Sequence, residues 1–195
     1  MIRAVIALLI ILAAVFQLVT NREVQQPPGV LAPRAPIQTM LRDAQPILKD
    51  GYTIRPLASF DVEARVLGSE RYRFGRESDL SPVDLALGWG AMSSQEVLDK
   101  ISISQGGRFY HWRSQELPIP AHQITNQSAN MHLIPATGEI AGELKRVRRG
   151  HLVRLEGYLV QINAQDGWTW RSSLTRADSG HGACEVIFVD RITIL

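Results

Sequence analysis

The chain has 195 residues with 21 basic and 19 acidic side chains, and its first 50 carry five basic and three acidic, so residues 51–195 hold sixteen of each sign. That neutral body argues against nucleic acid as a partner, because phosphates reward a basic stripe. The lone cysteine, Cys184, excludes an internal disulfide, and a body of about 145 residues suffices for one core.

Residues 1–19 form an apolar run broken only by Arg3 and Gln17. As a helix, Ala4 to Val19 would rise roughly 24 Å at about 1.5 Å per residue, short of a roughly 30 Å hydrocarbon core but able to cross with local thinning. A cleaved secretory signal needs a small-x-small site just beyond the run. Thr20, Asn21, Arg22 and Glu23 supply none, Ala32 and Ala35 each precede proline, and Cys184 is too distant for a lipoprotein signal. We therefore expect an uncleaved signal anchor over residues 1–20, held in a bacterial inner membrane through residues 4–19. Arg3 ahead of the run, against Arg22 offset by Glu23 behind it, orients the remainder to the periplasm.

Residues 21–38 contain Pro27, Pro28, Pro33 and Pro36 and read as an extended spacer that holds the domain off the bilayer. A ligand for a proline-recognition module would show similar spacing. The exported domain then occupies residues 39–195. Phe60, Val62, Ala64 and Val66 alternate with Asp61, Glu63 and Arg65, predicting a half-buried strand, with Tyr52 to Leu57 pairing back through a turn near Ala58 and Ser59. Ser81 and Pro82 predict a short helix to Leu87 that stops at Gly88. Ser93 or Ser94 predicts another over Gln95 to Ile101, with Glu96 in its first turn.

Arg108 to Arg113 and Ala129 to Ile134 are strand-like, Ala121 to Gln127 suits a helical turn, and Glu139 to Val147 a helix ending in Lys145, Arg146, Arg148 and Arg149. His151 to Ile162 is the clearest strand, with Gly157 allowing a bulge or bend. Asp166 and Gly167 make a turn into a strand over Trp168 to Leu174, and Cys184 to Ile194 is the final strand. Together these elements predict an α+β fold, a small, bent, partly closed antiparallel barrel resembling an OB-fold, with short helices and no internal repeat.

Several segments together carry a family resemblance: Gly88-Trp-Gly-Ala-Met92, Arg108-Phe-Tyr-His-Trp-Arg113, Ser128-Ala-Asn-Met-His-Leu-Ile-Pro135, Gly150 to Val160 and Trp168 to Glu185. They resemble a group of uncharacterised small bacterial proteins with a single N-terminal transmembrane anchor. The resemblance spans nearly the whole body; it implies membrane attachment and no particular chemistry.

Candidate sites divide into three. Trp89, Tyr110, Trp112, Trp168 and Trp170 with Arg108, Arg113 and Arg171 combine aromatic faces with guanidinium groups, a platform for sugars, peptides or planar ligands, although tryptophans also anchor small cores. Cys184, with His181 three residues before it, reads as a thiol nucleophile and its base or as a small residue opening a buried strand. Ser179-Gly-His-Gly-Ala-Cys184 is loosely similar to the Ser-His-Gly-Cys signature of L,D-transpeptidases, but Ala183 intervenes and Glu185 and Val186 stand where that family has an aliphatic residue and arginine. Ser172, Ser173, Asp178 and His181 sketch a hydrolase triad without a nucleophile elbow. His111, His122, His132, His151 and His181 lack metal-ligand spacing, and no cofactor is implied. The expected role is a non-enzymatic binding or assembly module for another envelope protein or a cell-wall component, the alternative a cell-wall enzyme using Cys184.

Overall fold

The computed structural model describes residues 22–176, 180 and 182–195; the expected anchor at residues 4–19, with Asp178, Ser179 and His181, lies outside them. The strands are β1 (Ile37–Met40), β2 (Ile47–Lys49), β3 (Tyr52–Arg71), β4 (Val83–Gly88), β5 (Ser102–Gly106), β6 (Phe109–Arg113), β7 (Ser128–Pro135), β8 (Leu152–Asn163), β9 (Thr169–Arg171) and β10 (Glu185–Ile194). Short helices α1 (Arg76–Leu80), α2 (Gln95–Leu98), α3 (Ala121–Asn126) and α4 (Gly138–Arg146) join them. The fold is α+β, mostly strand, as expected.

Pairing runs from β3 to β4, β7, β10 and β8, and β8 returns to β3. Around this ring β1 and β2 flank β3, β9 extends β8, and β5 with β6 forms a separate hairpin. The expectation of a purely antiparallel sheet is corrected at one place, because β7 and β10 are parallel. β10 slots between β7 and β8, which run in opposite directions, so it must lie parallel to one of them.

β3 is a single 20-residue strand rather than two strands with a turn at Ala58 and Ser59. The irregularity there is a bulge between Pro56 and Ala58, which swaps faces without ending the strand. Hence Ile54 packs outside the ring, while Ala58, Phe60, Val62, Ala64 and Val66 fill it. A second bulge, between Val66 and Gly68, swaps faces again: Val66 faces the ring interior, whereas Gly68 joins Leu67 toward the hairpin, where a Cβ would meet the Gln105 side chain.

The helix expected over Ser81 to Leu87 is strand β4, buried at all six positions. A strand covered on both faces loses the alternation that marks half-buried strands, and its Ser-Pro start imitates a helix opening. The strand expected over Trp168 to Leu174 shortens to Thr169–Arg171. The helix expected over Gln95 to Ile101 ends at Leu98, and the Ser94 hydroxyl bonds to the Glu96 side chain rather than capping the backbone. At α4 the cap is regular: Thr137 Oγ1 accepts from the Ile140 amide at 3.3 Å.

Gly157 sits where β8 meets β10, against the irregularity between Val189 and Arg191. A Cβ at Gly157 would overlap the Phe188 carbonyl oxygen, so the strands approach closely only because that position lacks a side chain.

The proline-rich segment is not a free spacer. Ala32 is fully buried in the ring's core, its amide and that of Leu31 donate to Ser93 Oγ at 3.0 and 3.1 Å, and its carbonyl accepts from Gly90 at 2.7 Å. Arg34 pairs with Glu63 at 2.9 Å. Proline suits this path because the segment makes few ladder bonds and needs little backbone freedom; it runs as a strap along the barrel.

Candidate functional site

Hairpin β5–β6 lies over the outward face of β4 and β7, and its tight turn positions Arg108. Gly107 and Arg108 have φ of 59° and 71°, the left-handed pattern of a two-residue type I′ turn. Arg108 Nη1 donates to Asp84 Oδ1 at 2.7 Å and to the Ser81 carbonyl at 2.9 Å, and its backbone amide donates to the Tyr72 hydroxyl at 2.9 Å. Its guanidinium carbon stands 3.9 Å from the Tyr72 ring centroid.

Asp84 is fully buried, so its charge requires such partners. His132 Nδ1 approaches Asp84 Oδ2 to 2.9 Å, but off the line of a hydrogen bond, leaving both atoms without one. The result is a polar seam between two apolar layers, one beneath the hairpin around Leu67, Met92 and Ile124, the other around Ile54, Val160 and Phe188. Burial raises the Tyr72 hydroxyl above its ordinary pKa.

From this seam an aromatic series runs outward: His132 to Trp170 at 5.0 Å, Trp170 to Trp168 at 6.1 Å, and Trp168 to Tyr52 at 5.9 Å between ring centroids. Arg108 lies 5.9 Å from Trp170 and Arg76 4.8 Å from Trp168, within cation–π range. Arg76 also grips Asp166 with bonds of 2.7 and 2.9 Å, which hold the Asp166 carboxyl below its ordinary pKa.

Beside the seam opens a cleft of about 210 Å³. Its lining includes Phe109, Tyr110 and Trp112 from β6, Ser128 and Asn130 from β7, and Arg176, Cys184 and Glu185. The Tyr110 hydroxyl bonds to Ser128 Oγ at 2.7 Å, and its burial raises its pKa. Asn130 donates to the Arg108 carbonyl at 3.0 Å and accepts from Gln105 at 2.8 Å. Arg176 pairs with the buried Glu185 and bonds to Gln38. The volume lies below that of drug-sized pockets, about 300–1,000 Å³, and suits one ring or one side chain.

The expected aromatic and arginine platform is thus divided. Tyr110 and Trp112 line the cleft; Arg108, Trp168 and Trp170 belong to the seam and its series. Trp89, at 2% exposure, is part of the ring's core rather than of a surface platform. Arg113 lies in a separate groove with Lys100 and Glu116, and Arg171 is exposed with Gln161 as its partner at 2.5 Å.

Cys184 Sγ lies 3.7 Å from the Arg108 carbonyl, and its expected base, His181, is outside the described residues. Ser172 and Ser173 are buried and serve the backbone: Ser172 Oγ donates to the Ser173 carbonyl at 2.7 Å and accepts from Val186 at 3.0 Å. Among the described residues no three His, Cys, Asp or Glu side chains converge as a metal site, and no helix is long and apolar enough to cross a membrane.

Sequence reasoning missed Asp84, Asn130, Tyr72 and Arg176, weighed His132 only as a metal ligand, and noted Glu185 only as the neighbour of Cys184. A charged residue inside the apolar run Val83 to Leu87 was the available signal, since a buried carboxylate needs a partner. In comparisons with known proteins, no family profile, no curated protein and no solved structure matches this chain.

Proposed function

We propose that the protein is a membrane-anchored, non-enzymatic binding module of the bacterial periplasm, built on an OB-like barrel, whose cleft seats one unit of a cell-wall glycopeptide. The ring order β3-β4-β7-β10-β8 corresponds to first, second, third, fifth and fourth strands, with the fourth closing on the first and one helix between third and fourth. In OB-type barrels the outer face of the second and third strands and the neighbouring loops take oligonucleotides or oligosaccharides. Here that face carries the seam and the cleft, and the neutral body favours the second ligand class over the first.

The observation that carries this reading is that the half-buried Tyr110 and Trp112 and the Arg176–Glu185 ion pair line one ring-sized cleft. Aromatic faces stack on the apolar side of a ring, while a guanidinium and a carboxylate take its polar edge. Titrating soluble cell-wall glycopeptides into the full chain, with chemical shifts as readout, tests it. Binding lost in Trp112→Ala and retained in Arg171→Ala supports the reading; an absence of binding by the folded protein refutes it.

Because Cys184 also lines the cleft, a thiol-dependent cell-wall enzyme is the second reading. Rapid alkylation of native Cys184 favours that enzyme, and an inert thiol removes it.

A further inference from the structure

The strap leaves almost no slack between the apolar run and the barrel. The Glu23 carboxylate contacts Arg149 at 3.2 Å and the buried Arg65 at 3.5 Å, and the Val24 amide donates to the Arg149 carbonyl at 2.9 Å. Gln26 donates to the Gly150 carbonyl at 2.9 Å. Gly150, at φ +90°, is approached so closely by the Val24 carbonyl that a Cβ there would overlap it. From Val19, the last apolar residue, to Glu23 there are only four steps of chain, roughly 14 Å fully extended.

The surface around that point has a distinct chemistry. Lys145 and Arg146 end α4, Arg148 and Arg149 follow in the turn to β8, and Lys145, Arg146 and Arg149 are exposed. Ile194 and Leu195 are 38% and 58% exposed and lie on the same side, since the Leu195 amide donates to the Leu152 carbonyl at 2.9 Å. Of the acids on that side, Glu143 pairs with Arg146 at 2.7 Å, Glu23 with Arg149, and Asp99, which lines one groove with Glu23 and Arg149, accepts from Gln95 at 2.7 Å. Basic side chains beside exposed aliphatic ones suit an anionic headgroup layer, where the charges meet phosphate and the apolar groups leave water.

We propose that this end of the barrel docks on anionic phospholipid headgroups of the bilayer that holds the anchor. Lys145 and Arg149 face the phosphates, and Ile194 and Leu195 sit at headgroup depth. The inference rests on the anchored reading and deepens it: the body is seated on the bilayer instead of standing off it.

The test places the photoreactive residue p-benzoylphenylalanine at Leu195, or at Gln165 beyond the far end of β8, in the full chain. Each is reconstituted in bilayers of phosphatidylethanolamine and phosphatidylglycerol and irradiated. The expected result is phospholipid adducts from position 195 and their loss at position 165, with Lys145→Glu reducing the phosphatidylglycerol share at 195. A chain that resists alkaline carbonate extraction yet forms adducts at neither position, or preferentially at 165, overturns the docking and leaves the anchor standing. Release of the chain by carbonate overturns the anchored reading and the docking with it.

Discussion

Replacing Arg108 with leucine tests whether the hairpin is held on the barrel by a buried charge pair. The substitution strips the fully buried Asp84 carboxylate of its 2.7 Å partner, leaving Ser81 Oγ at 3.4 Å and an off-axis His132. Removing one member of a buried pair costs about 3–5 kcal/mol, a figure that here includes the smaller loss, about 0.5–2 kcal/mol, of the cation–π contact with Tyr72. For a chain of this length each kcal/mol lowers Tm by about 2–4 °C, so the midpoint should fall by about 6–20 °C. Leucine is preferred to glycine, because glycine would relax the φ of 71° at this position and offset part of the loss. Thermal unfolding gives the magnitude, and amide exchange should show β5 and β6 losing protection before the ring strands. Adding Asp84→Ala should recover part of the stability, since the orphaned carboxylate is then gone. A fall of less than about 2 °C with hairpin protection intact would refute the pinning argument, as would a double variant whose losses simply add.

Gly157→Ala drives a Cβ into the Phe188 carbonyl and should cost about 1–3 kcal/mol, read as a lowered urea midpoint. Burial raises the Tyr110 and Tyr72 hydroxyls above 10.0, so the folded chain keeps protons that the unfolded chain releases. That contribution is complete below pH of about 10 and is lost as pH climbs through the raised folded values; urea unfolding at increasing alkalinity should show the decline, shallower in Tyr110→Phe. At neutral pH the same variant removes the bond to Ser128 and should cost about 0.5–1.5 kcal/mol by equilibrium unfolding. Glu23→Ala takes the counter-ion from the buried Arg65, and hydrogen exchange at Leu31 and Ala32 should quicken as the strap loosens.

The distribution of what was legible follows from the range of the forces involved. Alternation between Phe60 and Val66, the Gly157 interruption, and a helix over Glu139 to Val147, found at Gly138–Arg146, are set by neighbours a few residues apart, and they read directly from the sequence. β4 did not, because its Ser-Pro opening and continuous apolar run acquire strand character only when β3 and β7 close on both sides. The same holds for the strap: composition from Gln25 to Pro36 describes a spacer, and only contacts with Ser93, Gly90 and Gly150, scores of residues away, make it part of the body.

The site shows the division most clearly. Residue types alone singled out Tyr110, Trp112, Arg108, Trp168 and Trp170 as groups able to stack or pair, since aromatic and guanidinium chemistry is intrinsic to the side chain. Which of them share a surface, and that Trp89 is spent on the core, depended on the ring closing and the hairpin folding over it. Asp84, His132, Arg176 and Glu185 come together only through that closure. Local propensity acts over one turn or one strand, whereas burial and charge pairing act between segments that the chain itself keeps far apart.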